Sequence, residues 1–164
     1  MRITIIAVGK LKESYWKQAL AEYLRRLSAF AKVDVIEVTD RGSQTGSPEQ
    51  VQNAEAEDIH KQLQKLCGQQ GSGDTHIFTL DGHGKQRSSK DLSAHIDDLK
   101  LRGKSRLVFI IGGSHGIASS VLSTADESLS FGPQTWPHLL ARVLLLEQIY
   151  RAMTILAGHP YHRA

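Results

Sequence analysis

The 164-residue sequence holds a single cysteine, Cys67, with four prolines and two methionines. One cysteine cannot close an intrachain disulfide or supply a multi-cysteine zinc site, which fits a reducing compartment, and its place late in a helical stretch reads as a small apolar side chain. No apolar run reaches the roughly 20 residues that span a bilayer. The N-terminus also lacks the charged, apolar and small-residue succession of a signal peptide, so a cytoplasmic protein without a membrane segment is expected. Lys and Arg form no long run, and the net charge of +3 permits a polyanionic partner without demanding one. Missing too are the G-x-S-x-G nucleophile elbow, the Gly-Lys-Ser/Thr of a P-loop and the G-x-G-x-x-G dinucleotide fingerprint. Their absence argues against covalent serine chemistry and against a nucleotide-dependent oxidoreductase.

What the chain does have is alternation. Runs rich in Ile, Val, Leu and Phe at residues 3–8, 33–38, 75–80, 106–111 and 128–131 read as strands. Helical patterns lie between them at 14–29, 48–67, 88–101 and 117–125, and a last helix runs from Pro137 to about Leu156. Several strands are apolar almost throughout, as in a parallel sheet covered on both faces. The expected fold is α/β, a mostly parallel sheet sandwiched by helices, in one domain spanning 1–164. Polar, turn-rich stretches at 40–48 and 68–74 read as surface loops.

Three strands run into glycine, at Val8-Gly9-Lys10, at Leu80-Asp81-Gly82-His83-Gly84-Lys85 and at Ile111-Gly112-Gly113-Ser114-His115-Gly116. Ligands of open parallel sheets bind outside the carboxyl ends of the strands, so one crevice is expected to collect these turns together with Phe131 to Trp136. Taken alone, Gly112 to Gly116 serves equally as a structural turn or a ligand loop. His159 and His162 flank Pro160-Tyr161 but have no third and fourth ligand nearby in sequence, so no metal site is expected. The carboxylates from Glu55 to Asp58 read as a solvated helix face, and Asp81 and Glu147 show no acid/base spacing.

The C-terminal block combines a Gly/Pro-interrupted loop, an over-apolar helix and a polar tail. Leu139, Val143, Leu146, Tyr150 and Met153 fall on one side of the helix wheel, with Leu140, Leu144 and Ile155 nearly opposite. Two apolar faces suggest burial by the domain on one side and by a second copy of the chain on the other. Glu147 and Arg151 are spaced to pair, and His138 and Arg142 share the same spacing beside the loop. The tail from Gly158 to Arg163 offers a stacking ring, imidazoles and a guanidinium, groups that hold an unstacked RNA base and its phosphate; the alternative is disorder.

The residues then match a known pattern from end to end: Ile3 to Lys10, Glu22 to Arg26, Thr79 to Asp81 with Gly84-Lys85 and Ser88-Ser89, and Val108 to Gly113. Its most specific parts are Leu129-Ser130, Thr135 to His138, Ala141 to Leu144, Glu147 to Ala152 and Gly158 to Arg163. In these the sequence resembles the RlmH-type branch of the SPOUT (α/β-knot) methyltransferases. The resemblance implies a trefoil-knotted C-terminal half that binds S-adenosylmethionine through Leu80, Gly112, Phe131, Gly132, Pro133, Gln134, Thr135 and Trp136. It further implies methylation of N3 of a pseudouridine in a hairpin of 23S (large-subunit) ribosomal RNA, on the assembled ribosome, by a homodimer whose tail completes the partner's pocket, with no metal. Tyr161, His162 and Arg163 are the residues it places on the target base, with His138 and Arg142 behind them. Departures from the family pattern fall at His115, at Trp136 and at Gly82-His83.

Overall fold

Strands whose two faces are both apolar must be covered on both. That is the arrangement in the computed structural model, which describes residues 1–42, 46–68 and 73–163. The strands are β1 (Arg2–Val8), β2 (Lys32–Val38), β3 (Thr75–Gln86), β4 (Arg106–Ile111) and β5 (Glu127–Ser130). They form one sheet in the order β2-β1-β4-β3-β5, and every neighbouring pair is parallel. The helices are α1 (Ser14–Leu27), α2 (Pro48–Cys67), α3 (Ser89–Leu101), α4 (Ser119–Leu122) and α5 (His138–Leu156).

Local sequence sets the helix starts. Ser47 with Gln50, and Ser88 with Asp91, form reciprocal capping boxes that occupy otherwise unpaired N–H groups at the beginnings of α2 and α3. Pro48 opens α2, where a missing N–H costs nothing. Two apolar layers then enclose the sheet. On one face Ile3, Ile5, Leu107 and Phe109 meet α1, α3 and α5; on the other Ile6, Val8, Val108 and Ile110 meet α2 and α4. The last helix, α5, packs against both α1 and α3.

Three expectations need correction. The third strand does not stop at Leu80 but continues to Gln86, because its far half pairs with β5 again after a bulge: Leu80 and Lys85 both face Leu129. Gly84 makes this possible, since a Cβ there would lie 2.7 Å from the Ser128 carbonyl and 2.8 Å from the backbone of Leu129. The fourth helix shrinks to Ser119–Leu122; the hydroxyls of Ser123 and Thr124 take the Ser120 carbonyl and compete with the helical ladder. Finally, the buried arc of α5 is Ala141, Arg142, Leu145, Leu146, Ile149, Tyr150, Ala152 and Thr154, which shares only Leu146 and Tyr150 with the faces drawn on the helix wheel. Leu139, Leu140, Val143, Leu144, Met153 and Ile155 are only half-buried in the single chain. The turn-rich stretches expected at 40–48 and 68–74 fall partly outside the described residues.

A candidate cofactor crevice and the C-terminal tail

The carboxyl ends of β3, β4 and β5 surround a cavity of about 750 Å³. All eight residues that the resemblance assigns to the cofactor, Leu80, Gly112 and Phe131 to Trp136, line it, and His138 at the start of α5 closes one side. Asp81 to His83, Ile111, Gly113, Ser114, Gly116, Ile117, Leu129, Pro137 and Ala141 complete the wall. Side chains lock the loops to one another. The Ser130 hydroxyl donates to the Gly82 carbonyl at 3.1 Å and accepts the Gly132 N–H at 3.1 Å, tying the β3 bulge to the Phe131–Gly132 turn. Within the bulge, Asp81 accepts the His83 N–H at 2.8 Å. The turn after β4 is closed by the Gly116 N–H donating to the Gly113 carbonyl at 3.1 Å. A smaller cavity of about 340 Å³ lies where Phe131, Gly132 and Trp136 meet Leu144 and Gln148 of α5.

The helix carries the two residues placed behind the target base, and the structure treats them differently. Burial holds the His138 imidazole below its usual pKa, with Arg142 acting in the same direction and Asp40 opposing, so the ring beside the crevice is neutral. Arg142 has no accessible surface. Its guanidinium pairs with Glu37 at 2.7 Å and donates to the carbonyls of Val8 at 3.2 Å and Gly9 at 2.9 Å. A cation so enclosed cannot touch RNA, so the expectation for Arg142 is corrected: it fastens α5 to the ends of β1 and β2. Removing one partner of a buried pair leaves the others uncompensated. Arg142→Ala should therefore cost about 3 kcal/mol. Thermal unfolding should show it as a melting temperature lower by roughly 6–12 °C.

The tail is folded back on the far end of α5. The Tyr161 ring packs edge-on against Tyr150 with centroids 4.7 Å apart and lies under the Arg151 guanidinium at 4.8 Å. Its hydroxyl donates to Glu147 at 3.2 Å, and burial together with the Glu147 charge pushes the phenol up to about 12, so it stays protonated. Glu147 also pairs with Arg151, as the spacing of four suggested. His162 Nδ1 sits 3.4 Å from Arg151 Nη1, and Arg163 is exposed.

Sequence reading missed two carboxylates. Glu55, expected on a solvated face, is 2% exposed and lies against Gly113, while Asp58 pairs with Arg41 at 3.0 Å. The spacing Val51, Glu55, Ile59, Leu63 along one stripe of α2 was the available signal. Among the described residues, His76, His95 and Glu127 form one histidine–carboxylate cluster, away from the crevice at the start of β3 and β5. There the two oxygens of Glu127 are held by the Arg87 guanidinium at 2.7 Å and the His95 ring at 2.6 Å.

Ligands of parallel sheets sit at this edge, which places the molecule among the α/β proteins that hold a small cofactor at their strand ends. The family described as "Predicted SPOUT methyltransferase" matches residues 1–162, and the chain belongs to it. It is 47% identical over 163 residues to proteins named "Ribosomal RNA large subunit methyltransferase H" from Bacillus thuringiensis (strain Al Hakam) and from Bacillus anthracis, covering 99% of this chain and 100% of each relative. A solved structure, a probable methylase family protein from Haemophilus influenzae Rd KW20, superposes with a TM-score of 0.51 at 12% identity, covering 99% of this chain and 70% of that one, a likeness of fold. Among the described residues no helix is long and apolar enough to cross a membrane.

The methyl donor of the family is S-adenosylmethionine. The crevice suits it. Ile111, Ile117 and Leu129 provide apolar surface beside the backbone groups of Phe131 to Trp136, and a Cβ on the lining residues Gly82 or Gly132 would meet no protein atom within 4 Å.

Proposed function

We propose that this protein methylates N3 of a pseudouridine in a hairpin of 23S large-subunit ribosomal RNA, on the assembled ribosome in the cytoplasm, as a homodimer of one-domain chains. The observation that carries the reading is the convergence of Leu80, Gly112 and Phe131 to Trp136 on one cavity, from three separate parts of the chain. When bound there, S-adenosylmethionine supplies a methyl group activated by a sulfonium. The protein's work is then to bind, orient and manage charge. The β3 bulge and the 131–136 loop hold the donor, and neutral His138 stands at the edge where an acceptor base would enter. The N3 proton passes to solvent, and Arg163 supplies positive charge for the anion that is left, with His162 beside it to hold the base. The trefoil knot belongs to the same proposal: the chain leaves β5 at the sheet edge and must come back past the β3 and β4 ends to set α5 between α1 and α3.

Geometry supports the dimer. His138 at the crevice is the first residue of α5, and Tyr161, folded back along that helix, bonds Glu147 nine residues further on, about 14 Å away. We infer that His162 and Arg163, which follow Tyr161, complete the crevice of a second copy. Half-buried Leu140, Leu144 and Ile155, with Trp136 at 38% exposure, provide an apolar face for that copy.

Incubation with labelled S-adenosylmethionine and ribosomes, followed by nucleotide mapping, tests the reading. Label at one pseudouridine of large-subunit RNA is expected, with weaker labelling of free RNA. Label on transfer RNA alone, or binding to ribosomes without any transfer, would refute it.

A further inference from the structure

We propose that Glu55 is a positioning residue for the cofactor: its buried carboxylate clamps the turn after β4 to the connection between β2 and α2, and so fixes the peptide groups that the crevice presents. The proposal rests on the crevice being the cofactor site.

A carboxylate on an apolar helix stripe beside Val51, Ala56 and Ile59 is costly to bury unless its oxygens are filled by donors. Here backbone fills them. The Arg41 N–H donates to Oε1 at 3.0 Å and the Gly113 N–H donates as well. Among the described residues no guanidinium pairs with it, since the Arg41 side chain turns away to Asp58. Burial pushes the carboxyl above its usual range and the Asp40 charge acts in the same direction, while the Arg41 and Gly113 N–H groups oppose them. What the group gains at this place is attachment to two loops at once.

The fit is close. A Cβ on Gly113 would lie 2.9 Å from Oε2 and 3.0 Å from Oε1, so only glycine lets the carboxylate reach the backbone. One helical turn earlier, Gln52 Nε2 donates to the His115 carbonyl at 2.5 Å. Helix α2 thus pins both ends of the turn that contains Gly113, Ser114 and Gly116, all in the crevice wall. The face of that turn opposite the pins is the one left for a ligand.

Glu55→Gln keeps size and one acceptor but turns an amide NH₂ toward a backbone N–H. Hydrogen exchange on the ligand-free protein should show lost protection at the Arg41 and Gly113 amides. Calorimetry should show S-adenosylmethionine binding about tenfold weaker, the size expected for one displaced buried acceptor. The KM for the cofactor should rise while that for ribosomes stays unchanged, and Glu55→Asp should restore part of the affinity. Wild-type affinity in Glu55→Gln overturns the proposal. If Glu55→Gln does not fold, Gln52→Ala decides in its place: a loss of about threefold supports the clamp and no loss overturns it. Failure of the wild-type protein to bind S-adenosylmethionine, or binding that leaves the Gly112 and Gly132 amides undisturbed, would instead remove the crevice reading.

Discussion

Replacing Gly112 by valine is expected to reduce S-adenosylmethionine binding by more than about a hundredfold, below detection in ordinary calorimetry, while leaving a folded protein. Space decides this, not backbone torsion, since Gly112 is not among the residues with positive φ. A Cβ at this position would stand 2.6 Å from Ile117 Cγ1, 2.8 Å from the Gly116 carbonyl oxygen and 2.9 Å from its carbon. Ile117 can rotate, but the Gly116 backbone cannot. It is held by its own bond to Gly113 and by the neighbouring pin from Gln52 to His115. The branched side chain must therefore push the whole 112–116 turn outward, and that turn is a wall of the crevice. Overpacking of this kind costs about 1–3 kcal/mol, which a domain of this size survives. Gly82→Ala is the control, because its added methyl meets no protein atom within 4 Å and should leave the melting temperature unchanged. Undiminished binding in Gly112→Val would show that the donor sits elsewhere.

The strands and most of the crevice were legible because each rests on local signals that agree: apolar runs of strand length, and glycine where a chain must turn or approach another closely; the Val8-Gly9-Lys10 turn, expected in the crevice, is not in its wall. What stayed hidden depends on partners distant in sequence. Arg142 pairs with Glu37 across 105 residues, and no spacing within α5 announces that a cation in an apolar helix points into the protein. Asp81 to Gly84 has the composition of a turn, yet pairing with β5 keeps it within a bulged strand. Glu55 was obscured by its neighbours, since Glu57 and Asp58 make the segment look uniformly charged although only one of the three lies on the buried stripe. The tail's composition admitted disorder. Its order comes from Tyr150, Glu147 and Arg151, which form a seat for Tyr161 at the end of α5.

That seat divides the tail's labour and leads to the second large effect. Tyr161 is an anchor, wedged against Tyr150 and bonded to Glu147, whereas His162 beyond it is half-buried beside Arg151 and Arg163 is exposed. Replacing Tyr161 and His162 together by alanine removes the anchor and one of the presented groups, so methylation of ribosomes should fall at least about a hundredfold, the scale set by loss of positioning. S-adenosylmethionine affinity should stay within about twofold, because neither side chain lines the crevice. Normal turnover in this variant would dismiss the tail. The copy that supplies the tail can be identified by mixing. Gly112→Val chains carry a sound tail and a blocked crevice, and the double variant carries the reverse. If each crevice is completed by the partner's tail, a refolded equimolar mixture contains heterodimers with one intact site each. With random pairing, about half the dimers are mixed and half of their sites work, so activity should return to about a quarter of the wild-type value. If each tail served its own chain, every site in the mixture would carry one defect and no activity would return.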